Sequence, residues 1–431
     1  MRVEMSYGRH GLPLELPEDW QVTIISKKSM PVAEDPAGEI ARALASPIGS
    51  PPLAEMAGQG KTACILICDI TRPVPNHLFL RHLVEELIRG GVALGDITIL
   101  VATGLHRPNQ GGELAELVGD PWVLEKVRVK NHFARRDEDH IEIGVTSRGT
   151  KARLDRRFAL ADIRIATGLV EPHFMAGYSG GRKVITPGVA HAETITRLHT
   201  ATYLEDPKSA NCVLSGNPLH EEQMEIIKLL GGALALNTVI DENRRLSYVN
   251  FGEIEASHAK AVEFVRPYAE VVIDKPFATV LTSSAGYPLD KTYYQTVKGM
   301  VGAMDILAPG GSMFVVSEIS EGLGSPEYIQ AQERLLALGT ERFLGGIQEK
   351  RFAAIDEWQT EMQLKPMRKG RVYLFTEALQ GREQKLTGVE VLSSKEALLN
   401  KIAACLDQEK RLAVIPEGPY VLPFLKYSHP G

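Results

Sequence analysis

Ala63-Cys64-Ile65-Leu66-Ile67-Cys68-Asp69-Ile70-Thr71-Arg72-Pro73 is an apolar run of strand length that ends in a carboxylate, a hydroxyl and a guanidinium. An unbroken apolar run this short, followed by turn residues, reads as a strand buried on both faces. A helical pattern follows from about Asn76 to Arg89. Asp96 to Thr103 is a second strand, breaking at Gly104-Leu105-His106-Arg107-Pro108, and Asp162 to Thr167 is a third, breaking at Gly168 and running on to Glu171-Pro172-His173. Short apolar strands separated by helices predict a parallel, doubly wound sheet. The repeated words Ala102-Thr103-Gly104-Leu105 and Ala166-Thr167-Gly168-Leu169 predict two similar turns.

Each of these strands ends in polar groups: Asp69 to Arg72, His106 with Arg107, and Glu171 with His173. Ligands of open parallel sheets bind at the carboxyl ends of strands, so these exits are the default site. Close behind the third exit lies Gly177-Tyr178-Ser179-Gly180-Gly181-Arg182-Lys183. Glycines allow a backbone to approach a ligand, and a lysine there can pair with phosphate or form a covalent bond. The stretch is not a P-loop, because Arg182 precedes Lys183 and Val184 follows it. Gly60-Lys61-Thr62 fails too, with Glu55 at the first glycine position and the strand on the wrong side. Arg72 has the planar fork that clamps a carboxylate. His106, His173 and His199 are candidate proton carriers or metal ligands.

Bulk properties bound the reading. The chain of 431 residues has length for two domains, and 44% hydrophobic with 24% charged residues is an ordinary globular composition. A net charge of −6 argues against a general nucleic-acid or anionic-membrane binder. No signal-type stretch opens the sequence and no apolar run spans a bilayer. Four cysteines without a C-x-x-C pair fit reduced thiols and a cytoplasmic location.

Residues 1–60 read as irregular, punctuated by Pro47 and Pro51-Pro52. A second domain is expected near Lys275-Pro276, with a strand from Thr279 to Ser284 and Asp290 as N-cap of a helix through about Met304. On that helix Tyr294, Gln295 and Lys298 can share one face. Met313 to Ser317, Arg371 to Phe375, Glu390 to Leu392 and Arg411 to Ile415 supply further strands. The expected architecture is α/β in two domains, 1–272 and 273–410, with 411–431 able to complete the first. Each domain has a mostly parallel sheet flanked by helices, and the active site is expected in the interdomain cleft.

Taken together, DITRPVP at 69–75, ATGLHRP at 102–108, EPHFMAGYSGGRKVITPG at 171–188, GYPLDKTYYQTVKGM at 286–300 and Trp358 resemble the nickel-dependent lactate racemase family, over most of the chain. The resemblance implies a racemase or epimerase of 2-hydroxy acids that uses a nickel pincer nucleotide tethered to a lysine, here Lys183. It makes His199 the protein's nickel ligand and His106 and His173 the acid/base pair. Arg72 and Lys298 match substrate-carboxylate contacts, with Tyr294 and Gln295 beside them. Trp358, Asp69, Thr71 and the loop residues Gly177, Ser179, Gly180, Gly181 and Arg182 match the cofactor's surroundings. Proteins that build the cofactor are implied partners, beside a small hydroxy acid.

Such chemistry suits these residue types. Removing a proton from the α-carbon would put a second negative charge beside the carboxylate, whereas removing a hydride leaves a neutral 2-oxo acid. Two imidazoles then serve the two hands of substrate. Ser284-Ala285-Gly286, Lys291-Thr292 and Gln359 to Pro366 depart from the lactate-specific pattern. Beside lactate, a sugar-acid 2-epimerase such as one for gluconate, a racemase of malate, and a non-catalytic carrier of the nickel cofactor are the alternatives.

Overall fold

A computed structural model describes residues 1–426, which form two units. The first comprises Ser29–Leu198 and Val213–Arg266, and the second Met1–Lys28, His199–Cys212 and Pro267 onward. The architecture is mixed α/β, with a six-stranded sheet in each unit. A single cut at 272/273 was expected. Instead the first 28 residues and 199–212 group with the C-terminal part. The stretch 411–426 does the same, while 427–431 lie outside the described residues.

The first sheet runs in the order Leu246–Glu253, Leu234–Ile240, Ile163–Leu169, Ala63–Cys68, Ile97–Ala102, Arg128–Asn131. All pairs are parallel except Leu234–Ile240 with Leu246–Glu253. Ile65, Ile67, Ile99 and Val101 are fully buried in its core, as an unbroken apolar run requires of a strand covered on both faces. The helix Asn76–Arg89 lays Phe79, Leu80, Leu83, Val84 and Leu87 against that core, a stripe at helical spacing.

The two repeated words do not make similar turns. The second strand ends at Ala102, but the third continues through Gly168 to Leu169, with Gly168 opposite Asn237. Gly168 is a contact point rather than a break: a Cβ there would lie 3.2 Å from the backbone of Gly180 and Gly181. Glycine lets that loop rest on the strand without either having to give way.

The second sheet is wholly parallel, in the order Glu390–Leu392, Arg371–Phe375, Leu307–Val316, Phe277–Ser283, Arg411–Ile415, Gln21–Ile24. Residues 1–60 are therefore not irregular throughout. Arg2–Met5 and Leu12–Glu15 form an antiparallel hairpin whose Val3, Met5, Leu12 and Leu14 join the core of Phe314, Phe375 and Val414. Asp290 is not the expected cap. Thr292 caps the helix Tyr293–Ala303 by accepting from Gln295 N–H, while Asp290 Oδ2 accepts from Gly8 N–H (2.7 Å) and Glu318 N–H (3.1 Å).

Ala285, just past the strand Phe277–Ser283, has φ 64°, a left-handed conformation that a Cβ disfavours. Replacing Ala285 with Gly is expected to raise unfolding free energy by about 1 kcal/mol. Urea denaturation of both proteins checks this, and an unchanged or lower midpoint in Ala285→Gly would remove the strain assignment.

Candidate active site

In the first sheet, Ala63–Cys68 has Ile97–Ala102 on one side and Ile163–Leu169 on the other. Strand order reverses at Ala63–Cys68, so the exits at Asp69, His106 and Glu171 surround a topological switch point, where a parallel sheet leaves an opening for ligands. Asp69 is buried at 5% exposure. Its Oδ2 lies 2.6 Å from His106 Nδ1, and its Oδ1 accepts from the Thr71 hydroxyl (2.6 Å) and Thr71 N–H (3.2 Å). Burial pushes the Asp69 carboxyl up, but the His106 charge and hydrogen bond, then Thr71 and Arg72, outweigh it and bring it below 3.8. An ionised carboxylate only accepts, so the proton in the short contact belongs to His106 Nδ1. Arg72 Nε stands 3.8 Å from Glu171 Oε1.

His173 pairs with Gly177 in a two-strand turn, and its Nδ1 accepts from Met175 N–H (3.3 Å) and Ala176 N–H (3.2 Å). The turn leads into the glycine-rich stretch. A Cβ on Gly177 would stand 2.2 Å from Val213 O, so this glycine makes room for the protein's own backbone. Ser179 donates its hydroxyl to Leu169 O (2.7 Å). Arg182 points inward at 1% exposure, donating through Nη2 to Ala176 O and Tyr178 O (2.8 Å each), with Nη1 2.8 Å from His258 Nε2. Both side chains are thus committed to the loop itself.

Lys183 follows in the short helix Gly181–Ile185. Burial, then the charges of Arg72 and Arg182, hold its ammonium well below the usual 10.5, against the pull of Glu171. These surroundings disfavour the charged ammonium and so favour the nucleophilic amine form.

The other expected residues lie in the second unit. The His199 ring is 4.5 Å from the Trp358 ring, Trp358 donates its Nε1–H to Tyr294 Oη (3.0 Å), and Gln359 donates to Tyr294 O (2.6 Å). The helix Glu357–Lys369 also holds the 199–212 segment: Lys365 Nζ donates to Leu204 O (2.5 Å) and Arg368 pairs with Glu205 at 3.0 Å. Tyr294, Gln295 and Lys298 lie on Tyr293–Ala303 as the spacing predicted. Gln295 Oε1 is buried without a hydrogen-bond partner. Among the described residues, no group of three or more His, Cys, Asp or Glu is placed to hold a metal ion.

The lactate racemase N-terminal domain family matches residues 7–211, and the lactate racemase C-terminal domain family matches 272–422. The chain belongs to the lactate racemase family. With that comes its enzyme class, an isomerase. The lactate racemase of Thermoanaerobacterium thermosaccharolyticum is 29% identical over 97% of this chain and 98% of its own length. That of Lactiplantibacillus plantarum is 33% identical over 66% of each chain. The solved lactate racemase apoprotein from T. thermosaccharolyticum superposes with a TM-score of 0.90, at 29% identity, over 98% of this chain and 100% of that one. A Thermotoga maritima protein shares the fold, with a TM-score of 0.68 at 18% identity, over 93% of this chain and all of its own.

Within this racemase family member, three side chains around the expected set went unassigned from the sequence. Glu171 faces Arg72, and its opposite charge in a strand-exit motif was the available signal. Gln359 next to Trp358 carried no signal, because its role depends on which helix packs there. Glu361, one turn beyond Trp358, is 1% exposed with Oε1 unpartnered. Burial, then the charge of Glu205, pushes its carboxyl up to about 8.

Glu361 therefore stays protonated in the folded chain where it would ionise in the unfolded one. Its contribution is complete below about 4.5, its ordinary value, and is lost as pH rises through about 8. Unfolding free energy of the wild type is expected to fall across that interval relative to Glu361→Gln, which cannot ionise. Parallel pH profiles for the two proteins would show that Glu361 ionises normally.

Proposed function

We propose that this racemase inverts lactate or a closely related 2-hydroxy acid, using a nickel pincer nucleotide tethered to Lys183. The observation that carries this reading is Lys183 itself, whose charged form is disfavoured by burial and by the Arg72 and Arg182 charges, in the unit whose strand exits include both expected imidazoles. Close similarity to two lactate racemases supports the substrate class.

The residues present fit the cofactor. A neutral lysine amine is what an amide-type bond to a thioacid requires. His199 offers one imidazole, a suitable nickel ligand, and the remaining donors would come from the organic group. The Trp358 ring beside His199 gives a flat apolar face, and Gln295 Oε1 is a buried acceptor awaiting a donor. Gly177, Ser179, Gly180, Gly181 and Arg182 serve by fixing the backbone from which Lys183 projects, with Asp69 and Thr71 beside it. When bound, the group would supply a reversible hydride acceptor.

The chain's own residues do the rest. Arg72 and Lys298, with Tyr294 and Gln295, hold the carboxylate end of the substrate. One imidazole would take the hydroxyl proton, the O–H electron pair becoming the second bond of the carbonyl as the C–H pair is given up to the bound acceptor. The second imidazole would supply a proton as that pair is restored on the opposite face, giving the other hand. General acid–base catalysis of this kind contributes about 10²–10⁴-fold.

Protein co-expressed with the cofactor-making enzymes should racemise lactate by chiral chromatography and show an adduct on the Lys183 peptide by mass spectrometry. His106→Ala and His173→Ala should each lower kcat about 10²–10⁴-fold while nickel stays bound, whereas His199→Ala should lose nickel. Turnover of a sugar acid or malate but not lactate would move the substrate, and bound nickel without turnover of any hydroxy acid would favour a carrier. Without cofactor, labelling of Lys183 by a small amine-selective reagent should set in at lower pH than that of exposed lysines. The same onset pH for Lys183 and exposed lysines would show that its ammonium is not disfavoured.

A further inference from the structure

The two imidazoles assigned to proton transfer are gripped in opposite ways. His106 Nδ1 meets the buried carboxylate of Asp69 at 2.6 Å, an acceptor that requires a proton on that nitrogen. His173 Nδ1 instead meets two backbone donors, Met175 N–H at 3.3 Å and Ala176 N–H at 3.2 Å. A nitrogen facing two N–H groups must offer its lone pair. In a neutral imidazole one nitrogen carries the proton and the other does not, so each grip decides the state of the far nitrogen.

We infer that Asp69 and the 175–176 backbone hold His106 and His173 in opposite tautomers, so the resting chain presents a proton acceptor at His106 Nε2 and a hydrogen-bond donor at His173 Nε2. Asp69 is then a positioning residue acting through His106. This deepens the racemase reading and rests on it for its meaning in catalysis. His106 can accept a hydroxyl proton at once, and the resulting imidazolium keeps its Nδ1 proton on Asp69. His173 can only donate a hydrogen bond through Nε2 until the Met175 and Ala176 N–H groups release Nδ1. The two hands of substrate therefore meet chemically different partners, although the residue types are the same.

Histidine-selective ¹⁵N labelling tests this in the cofactor-free full chain. Long-range proton–nitrogen spectra, at a pH where both rings are neutral, distinguish protonated from unprotonated ring nitrogens. His106→Gln and His173→Gln assign the signals. The expected result is Nδ1–H for His106 and Nε2–H for His173. Asp69→Asn, which offers an amide N–H to the ring, should move the His106 proton to Nε2 and leave His173 unchanged, and Asp69→Glu should restore the wild-type pattern. The same tautomer on both histidines in the wild type, or an unmoved His106 proton in Asp69→Asn, overturns the inference. Failure of the racemase reading shows separately: opposite tautomers in a protein whose loaded form inverts no hydroxy acid would leave the tautomer assignment standing.

Discussion

A guanidinium buried without a carboxylate partner organises the chemical end of this protein. Arg182 is cut off from water, so burial alone brings its ionisation down to about 9. Such a group costs stability unless its N–H donors are satisfied. The carbonyls of Ala176 and Tyr178 take two of those bonds. They bind the turn carrying His173 to the helix carrying Lys183, so that neither can shift alone. The same cation, with Arg72, disfavours a charge on Lys183. One residue thus ties down the loop that carries the lysine and disfavours a charge on its amine.

The two sheets use their strand ends differently. At the first, the exits hold titratable groups around a reversal of strand order. At the second, hydroxyls are spent on the protein's own main chain and on each other: Ser283 donates to Pro416 O (2.7 Å), and the Thr296 and Ser317 hydroxyls meet at 2.8 Å. Parallel sheets offer the same opening by geometry. The side chains placed there decide whether it is filled or left for chemistry.

Much of this was legible in the sequence where the signal is local. The helix Asn76–Arg89 and the strands Ala63–Cys68, Arg371–Phe375, Glu390–Leu392 and Arg411–Ile415 follow from apolar runs and periodicity alone. His106 and His173 were visible as polar residues at strand exits. Whatever depends on strand order was not. Asp69 meets His106 because their strands are neighbours, and no spacing in the chain encodes that. The inward direction of Arg182 was hidden because a glycine-rich turn has no period. Gln21–Ile24 escaped because this edge strand is largely exposed and lacks a buried alternation. Asp290 looked like a cap because it precedes a helix, yet it was drawn off by the backbone of Gly8 and Glu318.

The pairing of Gln21 with Arg411 also governs how the molecule is made. The strand Gln21–Ile24 is made long before Arg411–Ile415, its one sheet neighbour among the described residues. The second sheet cannot be completed until Arg411–Ile415 has been made. The first sheet, drawn from residues 63 to 253, has all its strands well before that point. Long-range pairings of this kind form slowly, because the entropy of closing the intervening chain opposes them before any contact is gained. The unit bearing Lys183 can therefore mature as a domain while its companion waits for Arg411–Ile415.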